Sequence, residues 1–135
     1  MSSTATATSV DLVKSLYEAF GRGDIAFILS RLSADCQWVA TGRGIPSAGN
    51  YTGPEGVAEF FQKLDATEEV TRFEPKEYFT NGNDVVAYGS EDVRIKSNGK
   101  MVSTNWMMLF RVNDGLVTYW ECFFDTSAYA AAHRA

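Results

Sequence analysis

One carboxylate stands out in this sequence as a candidate general acid or base. Glu91 shares one face of a predicted strand with Ala87, Val93 and Ile95, because residues two apart on a strand point to the same side. Burial among such apolar groups would raise the pKa of the carboxyl group and suit it to proton transfer. The alternative is that Glu91 lies at the mouth of a pocket and meets Arg43 or solvent.

Aromatic residues recur on the strand faces that should surround this carboxylate. Together with neighbouring aliphatic, thiol and hydroxyl groups they form a predicted ligand pocket made of Trp38, Val93, Thr104, Trp106, Met108, Phe110, Trp120, Cys122 and Phe124. Such a box suits a flat apolar or aromatic molecule, with Trp38 and Trp106 shaping its walls. For any single ring the alternative is ordinary core packing.

A glycine-rich segment, residues 41–53, is predicted to lack regular structure and to form the rim of this pocket. Arg43 and Tyr51 in this segment could orient a polar group of the ligand. Long loops of this kind often serve as lids, and the alternative is a plain connection between elements.

Other kinds of site have little support. Cys36 and Cys122 have no metal-ligand spacing and are expected to be free thiols, and the single His133 lies among alanines near the end of the chain. We therefore expect no metal, no cofactor and no Ser–His dyad. A net charge of −5 argues against nucleic acid. With no apolar run of about 20 residues and no signal-peptide pattern, the sequence predicts no membrane association and a cytoplasmic location.

The chain of 135 residues is predicted to be one domain, residues 10–135, after a flexible tail, residues 1–9. Three helices are expected in the first half, because apolar residues recur there at helical spacing. The first runs from a cap near Thr8 to Gly21, the second follows the cap Asp24 and includes Leu32, and the third begins at Pro54.

Period-two patterning from Val70 onward predicts strands at about 70–80, 84–96, 100–112 and 116–125, with an earlier short strand at 36–40. A last helix is predicted over residues 126–133, capped by Asp125. This order predicts an α+β fold. In that fold a curved antiparallel sheet is covered on its concave face by the three helices of the N-terminal half, which form a cone with an apolar pocket.

The opposite face of the sheet is also partly apolar, which favours a homodimer through that face. The apolar residues expected there are Tyr88, Met107, Leu109, Tyr119 and Phe123. The alternative is that these groups are scattered singly over the surface, as in many monomers.

Several local strings support a family resemblance over about residues 10–130. They are the segments 16–24 (LYEAFGRGD), 51–57 (YTGPEGV), 114–117 (DGLV) and 121–126 (ECFFDT). In these strings and in its element order the chain resembles the nuclear-transport-factor-2-like, or cystatin-like, superfamily. Within that superfamily it is similar to the SnoaL-like polyketide cyclases, the ketosteroid isomerases and the limonene epoxide hydrolases.

The resemblance also implies what the chain lacks. The positions of the ketosteroid isomerase tyrosine, base and second acid fall on Leu16, Ala40 and Met108, which are all apolar. Isomerase chemistry of that kind is therefore not expected. Tyr17 is one residue away and is expected to point about 100° from the tyrosine position. The last-strand carboxylate of the epoxide hydrolases falls on Cys122.

Two functions follow as hypotheses. The first is a SnoaL-like enzyme that carries out cofactor-free proton transfer on an apolar or aromatic small molecule, by isomerisation, cyclisation or hydration, with Glu91 as acid or base. The alternative is a non-catalytic ligand-binding or dimerisation module of the same fold. A weaker third hypothesis is an adaptor whose core is filled.

Overall fold

A computed structural model gives the fold of residues 2–134, with side chains described from Ser9 onward. It contains helices and strands in an α+β arrangement. In chain order the elements are α1 (Ser2–Gly21), α2 (Ile25–Ser30), β1 (Leu32–Ala40), β2 (Gly49–Thr52), α3 (Gly53–Thr67), β3 (Glu68–Asn81), β4 (Asp84–Ile95), β5 (Met101–Asn113), β6 (Leu116–Phe123) and α4 (Thr126–His133).

The strands form one curved sheet that stays open, with the order β2-β1-β6-β5-β4-β3. Neighbouring strands are antiparallel except β1 and β6, which run parallel with Trp38 opposite Trp120 and Ala40 opposite Cys122. The predicted α+β fold is confirmed, and the sheet is mixed rather than wholly antiparallel. The parallel pair joins β1, which lies between the helices of the first half of the chain, to the last strand, β6.

The predicted faces of the sheet are correct. Val85, Ala87, Val93 and Ile95 of β4 are fully buried, whereas Met107 and Phe123 on the opposite face are 44% and 50% exposed. Burial of the first set removes apolar surface from water and so contributes to the stability of the core.

Gly89 on β4 allows a side chain of the cavity wall to pack closely against the sheet. A methyl group on Gly89 would collide with the indole of Trp106 on β5 and with the backbone oxygen of Glu74 on β3. The missing side chain lets the Trp106 ring lie close against the sheet, where it stacks on Phe73 with centroids 4.9 Å apart.

Some predicted boundaries were wrong. The first helix begins at Ser2 and not near Thr8, because the small residues before Thr8 include no Gly or Pro that would break the helix, so a helix occupies most of the predicted tail. The second helix ends at Ser30, and Leu32 instead starts β1. Part of the glycine-rich segment is a strand, β2, because its residues pair with β1, Tyr51 opposite Trp38.

The caps were predicted more accurately. Asp24 accepts a hydrogen bond from the Phe27 backbone N–H at 3.1 Å, and Asp125 accepts one from the Ala128 N–H at 3.1 Å. The last helix covers Thr126–His133 as predicted. The position of the last helix matters for the cavity described below, because this helix brings Tyr129 into the cavity wall.

Within residues 2–134, no helix has both the length and the apolar character that crossing a membrane requires.

Candidate active site

A cavity of about 130 Å³ lies between the helices and the concave face of the sheet. Aromatic and aliphatic side chains make up most of its walls, and two carboxylates, Glu68 and Glu91, complete them. Of the predicted pocket residues, those that line the cavity together with Glu91 are Trp38, Trp106, Met108, Phe110, Trp120, Cys122 and Phe124.

Four predicted pocket residues do not line it. Arg43 is exposed, and Tyr51 is buried beside the cavity with its hydroxyl donating to the Ser47 carbonyl oxygen at 2.8 Å. Val93 packs in a second apolar cluster under the last helix. Thr104 donates its hydroxyl hydrogen to the Asn105 carbonyl oxygen at 2.8 Å, so local backbone contacts engage it.

Glu91 is held at the cavity wall by the last helix. Its Oε2 accepts a short hydrogen bond from the Tyr129 hydroxyl, a partner that the sequence did not suggest. Burial raises the pKa of Glu91 to about 7, although the Tyr129 hydrogen bond and the charge of Arg72 oppose this rise. The charges of Glu68 and Asp92 act in the same direction as burial. Both the acid and the carboxylate are therefore populated near neutral pH.

Glu91 is not the solitary acid that the sequence suggested. Glu68, the first residue of β3, also lines the cavity and is 6% exposed. Its Oε2 lies 2.8 Å from Nε2 of His133, and both side chains are almost fully buried. Tyr129 and His133 are four residues apart on α4, so one helix face supplies a partner to each carboxylate.

Tyr17 was expected to point about 100° from the tyrosine position of the ketosteroid isomerases, which falls on Leu16. It lines the cavity beside Leu16, because the buried stripe of a helix is wide enough to include both positions. Its hydroxyl donates to Sδ of Met108 at 3.2 Å, and burial raises the pKa of that hydroxyl. Thioether sulfur is a weak acceptor, so this hydroxyl could turn to a stronger acceptor on a ligand.

Leu16, Ala40 and Met108, onto which the resemblance places the ketosteroid isomerase catalytic groups, all line this same cavity. Cys122 lies among them, and burial raises the pKa of its thiol, so it stays protonated near neutral pH and is a poor nucleophile. The chemistry available in the cavity is therefore proton transfer by carboxyl groups, assisted by tyrosine hydroxyls.

Sequence reasoning missed Glu68, Tyr129 and His133. The spacing of Tyr129 and His133 on a predicted helix was a usable signal, since it places two polar groups on one face. Nothing in the local sequence indicated where that helix would pack. Glu68 was missed because the predicted strand began at about residue 70, whereas β3 begins at Glu68.

Solved structures share this fold. An NTF2-like protein from Burkholderia xenovorans is 30% identical, with 96% of this chain and 98% of that chain covered and a TM-score of 0.87. TerC, co-crystallised with polyporic acid, is 24% identical (coverage 95% and 99%, TM-score 0.84). A protein of ketosteroid isomerase-like fold from Catenulispora acidiphila, in complex with trimethylamine, is 17% identical (coverage 90% and 91%, TM-score 0.76). The likeness to the last two shows the fold alone.

No curated protein sequence matches the chain significantly. The family match comes from the sequence model of the SnoaL-like domain, which matches residues 13–120 and so includes most strands and helices that surround the cavity. The chain belongs to the SnoaL-like domain family.

Proposed function

We propose that this protein is a small-molecule enzyme that carries out cofactor-free proton transfer, by isomerisation, cyclisation or hydration, with Glu91 as the acid or base. The observation that supports it most is a buried carboxyl group in an apolar cavity whose pKa is raised to about 7. A group that titrates near the working pH is both available in the needed form and strong enough to exchange a proton.

The hydrogen bond from Tyr129 fixes Oε2 of Glu91 and leaves Oε1 to meet the substrate. In the carboxylate form, Glu91 would remove a proton from a carbon or oxygen of the substrate, and in the acid form it would return it. The Tyr17 hydroxyl, whose present partner is the Met108 sulfur, would donate to an oxygen that gains negative charge in the transition state.

The cavity volume limits the substrate. At about 130 Å³ it is close to the size of an engineered apolar cavity that holds benzene. The substrate, or the reacting part of a longer one, would therefore be about one ring in size. Small organic molecules in two proteins of this fold, polyporic acid and trimethylamine, support a ligand at such a site.

The test is turnover by the Glu91→Gln variant. Cyclic ketones, epoxides and polyketide-like compounds would be offered to the protein, and the variant should bind the substrate but lose turnover at least a hundredfold. Glu59→Gln is the matched control, since it makes the same change of charge on the exposed surface of α3. Unchanged turnover in Glu91→Gln would overturn the assignment of Glu91.

A second candidate function is ligand binding without catalysis. It is favoured by the apolar residues Leu16, Ala40 and Met108 at positions that carry catalytic groups in ketosteroid isomerases. Binding of cavity-sized ligands by the wild-type protein, with no turnover of any compound tested, would select this function.

We also propose that two copies associate through the outer sheet face. Met107 and Phe123 are paired across β5 and β6 there and are both about half exposed. Sedimentation should give a dimer for the wild-type protein and a monomer for Met107→Lys/Phe123→Lys. A monomeric wild-type protein would contradict the proposal. The cytoplasmic location stays a prediction.

A further inference from the structure

We propose that the cavity selects a small organic cation, a protonated amine or a quaternary ammonium group, over neutral and anionic molecules of the same size. This names the ligand class of the proposed site and rests on the proposed function only in requiring that the cavity binds a ligand.

The acidic side chains of the cavity wall favour a cationic ligand. Among the described residues that line it, two are carboxylic acids, Glu68 and Glu91, and none is Lys, Arg or His. Glu68 has His133 behind it as a partner, whereas the hydrogen-bond donor to Glu91 is the neutral hydroxyl of Tyr129. An ionised Glu91 therefore has no countercharge inside the cavity, and a cationic ligand would supply it.

Arg72 is the basic side chain whose charge acts on Glu91, but it is paired with other carboxylates. Arg72 lies on the outer side of β3, where its Nε contacts Asp92 at 2.9 Å and its Nη1 contacts Glu74 at 3.0 Å. Its side chain is 43% exposed, so solvent screens its charge. An anionic ligand in the cavity would thus face carboxylates with no cation to offset them.

The aromatic rings of the cavity wall also favour a cation. Cations bind to the faces of aromatic rings, which are negative, and cages of such rings recognise quaternary ammonium groups. Phe124 packs edge-on against Tyr129 with centroids 4.8 Å apart, directly beside the Glu91 contact. Tyr17 and Trp106 pack together in the same wall with centroids 5.6 Å apart. Apolar walls with a carboxylate in them match a cation that carries methyl groups better than a hydrated metal ion.

The volume of the cavity limits the size of the cation. A cavity of about 130 Å³ accommodates roughly the volume of benzene. Tetramethylammonium, trimethylammonium and pyrrolidinium ions are of this size or smaller.

The groups that act on Glu91 set the expected pH dependence. They are Tyr129 on α4, Glu68 and Arg72 on β3, and the adjacent Asp92 on β4, while Glu91 in turn acts on Cys122 of β6. A bound cation favours the ionised form of Glu91, so binding lowers the pKa of Glu91 and releases its proton to solvent. With a pKa of about 7, only about a tenth of the free protein is ionised at pH 6. Affinity should therefore be about tenfold weaker at pH 6 than at pH 8.5.

The test is calorimetric titration of the wild-type protein with three probes at constant ionic strength. The probes are tetramethylammonium chloride, tert-butanol as a neutral molecule of similar size, and sodium pivalate as the anion. We expect tetramethylammonium to bind at least tenfold more tightly than tert-butanol, and pivalate to bind least. Proton release, measured from the dependence of the heat on buffer ionisation, should accompany the binding of tetramethylammonium near pH 7.

Glu91→Gln should remove the preference for the cation and its pH dependence, while the control Glu59→Gln keeps both. Equal affinity for tetramethylammonium and tert-butanol, no binding of tetramethylammonium, or an unchanged preference in Glu91→Gln would overturn the inference. If Glu91→Gln does not fold, the comparison of probes and of pH values on the wild-type protein decides alone.

These outcomes are distinct from failure of the proposed function. Glu91-dependent turnover of a neutral ketone or epoxide without any cation preference would sink this inference and leave the proposed function standing. A clear cation preference with no turnover would do the reverse.

Discussion

The hydroxyl of Tyr129 on α4 donates a hydrogen bond to Oε2 of Glu91 on β4. This contact joins α4 to the strand next to the β3 edge of the sheet and fixes one oxygen of the carboxyl group. Because the donor interacts more strongly with a carboxylate than with a carboxylic acid, the contact lowers the pKa of Glu91 against the larger effect of burial.

Tyr129→Phe should therefore raise the pKa of Glu91 above about 7, since the hydrogen bond is lost and the ring that buries the carboxyl group remains. Titration of the Glu91 carboxyl carbon by NMR measures this directly. The variant Tyr119→Phe, which removes a hydroxyl that contacts Glu121 instead, is the control. A pKa that falls in Tyr129→Phe would contradict the described contact.

Glu91 should make the stability of the protein depend on pH. Its pKa is raised from an ordinary value of 4.5 to about 7 on folding, so the folded state holds a proton that the unfolded state has lost between these values. Stability contributed by Glu91 is complete below about pH 4.5 and is lost as the pH rises through about 7. The loss corresponds to about 3 kcal/mol.

Glu91→Gln removes this loss, because the amide does not ionise. Relative to the wild-type protein, the variant should gain stability between pH 5 and pH 8.5, as measured by urea unfolding at both values. If the free energy of unfolding changes with pH in the same way in both proteins, the pKa of Glu91 is not raised on folding.

The buried contact between His133 and Glu68 should contribute to stability. Replacing His133 by Ala leaves Glu68 buried without its partner, which should cost about 2–4 kcal/mol in urea unfolding. The double variant His133→Ala/Glu68→Gln should be less destabilised than the sum of the two single variants. Strict additivity would mean that the two side chains do not interact.

Gly89→Ala should destabilise the protein by about 2 kcal/mol or more, because the added methyl group meets the Trp106 ring and the backbone of β3. Gly21→Ala at the end of α1 is the matched control, since no atom lies within 4 Å of the added group. Urea unfolding of both variants measures the difference. Equal stabilities would show that the Trp106 ring does not pack against Gly89.

Alternation along the strands was sufficient to place Glu91 on the buried face, because residue parity on a strand decides its face. It could not find Tyr129 or His133, whose roles depend on where α4 packs against the sheet. Helix geometry placed Tyr17 about 100° from the position of Leu16, and the buried stripe of a helix is wide enough for both side chains to line the cavity.

In the glycine-rich segment, too, the local sequence did not predict a contact that depends on the tertiary fold. Local preference predicted no regular structure for residues 41–53, yet Tyr51 pairs with Trp38 because β1 offers a free edge. Tyr51 is buried outside the cavity lining, and the residues of this segment that line the cavity are Thr41, Ile45 and Ser47.

Titration of the Glu91 carboxyl carbon in the unmodified protein, followed by NMR from pH 4 to pH 9, tests the central claim most directly. The account predicts a midpoint near 7 that moves to lower pH when tetramethylammonium is present. A midpoint near 4.5 would mean that burial does not perturb this carboxyl group, which would contradict the proposed acid–base role.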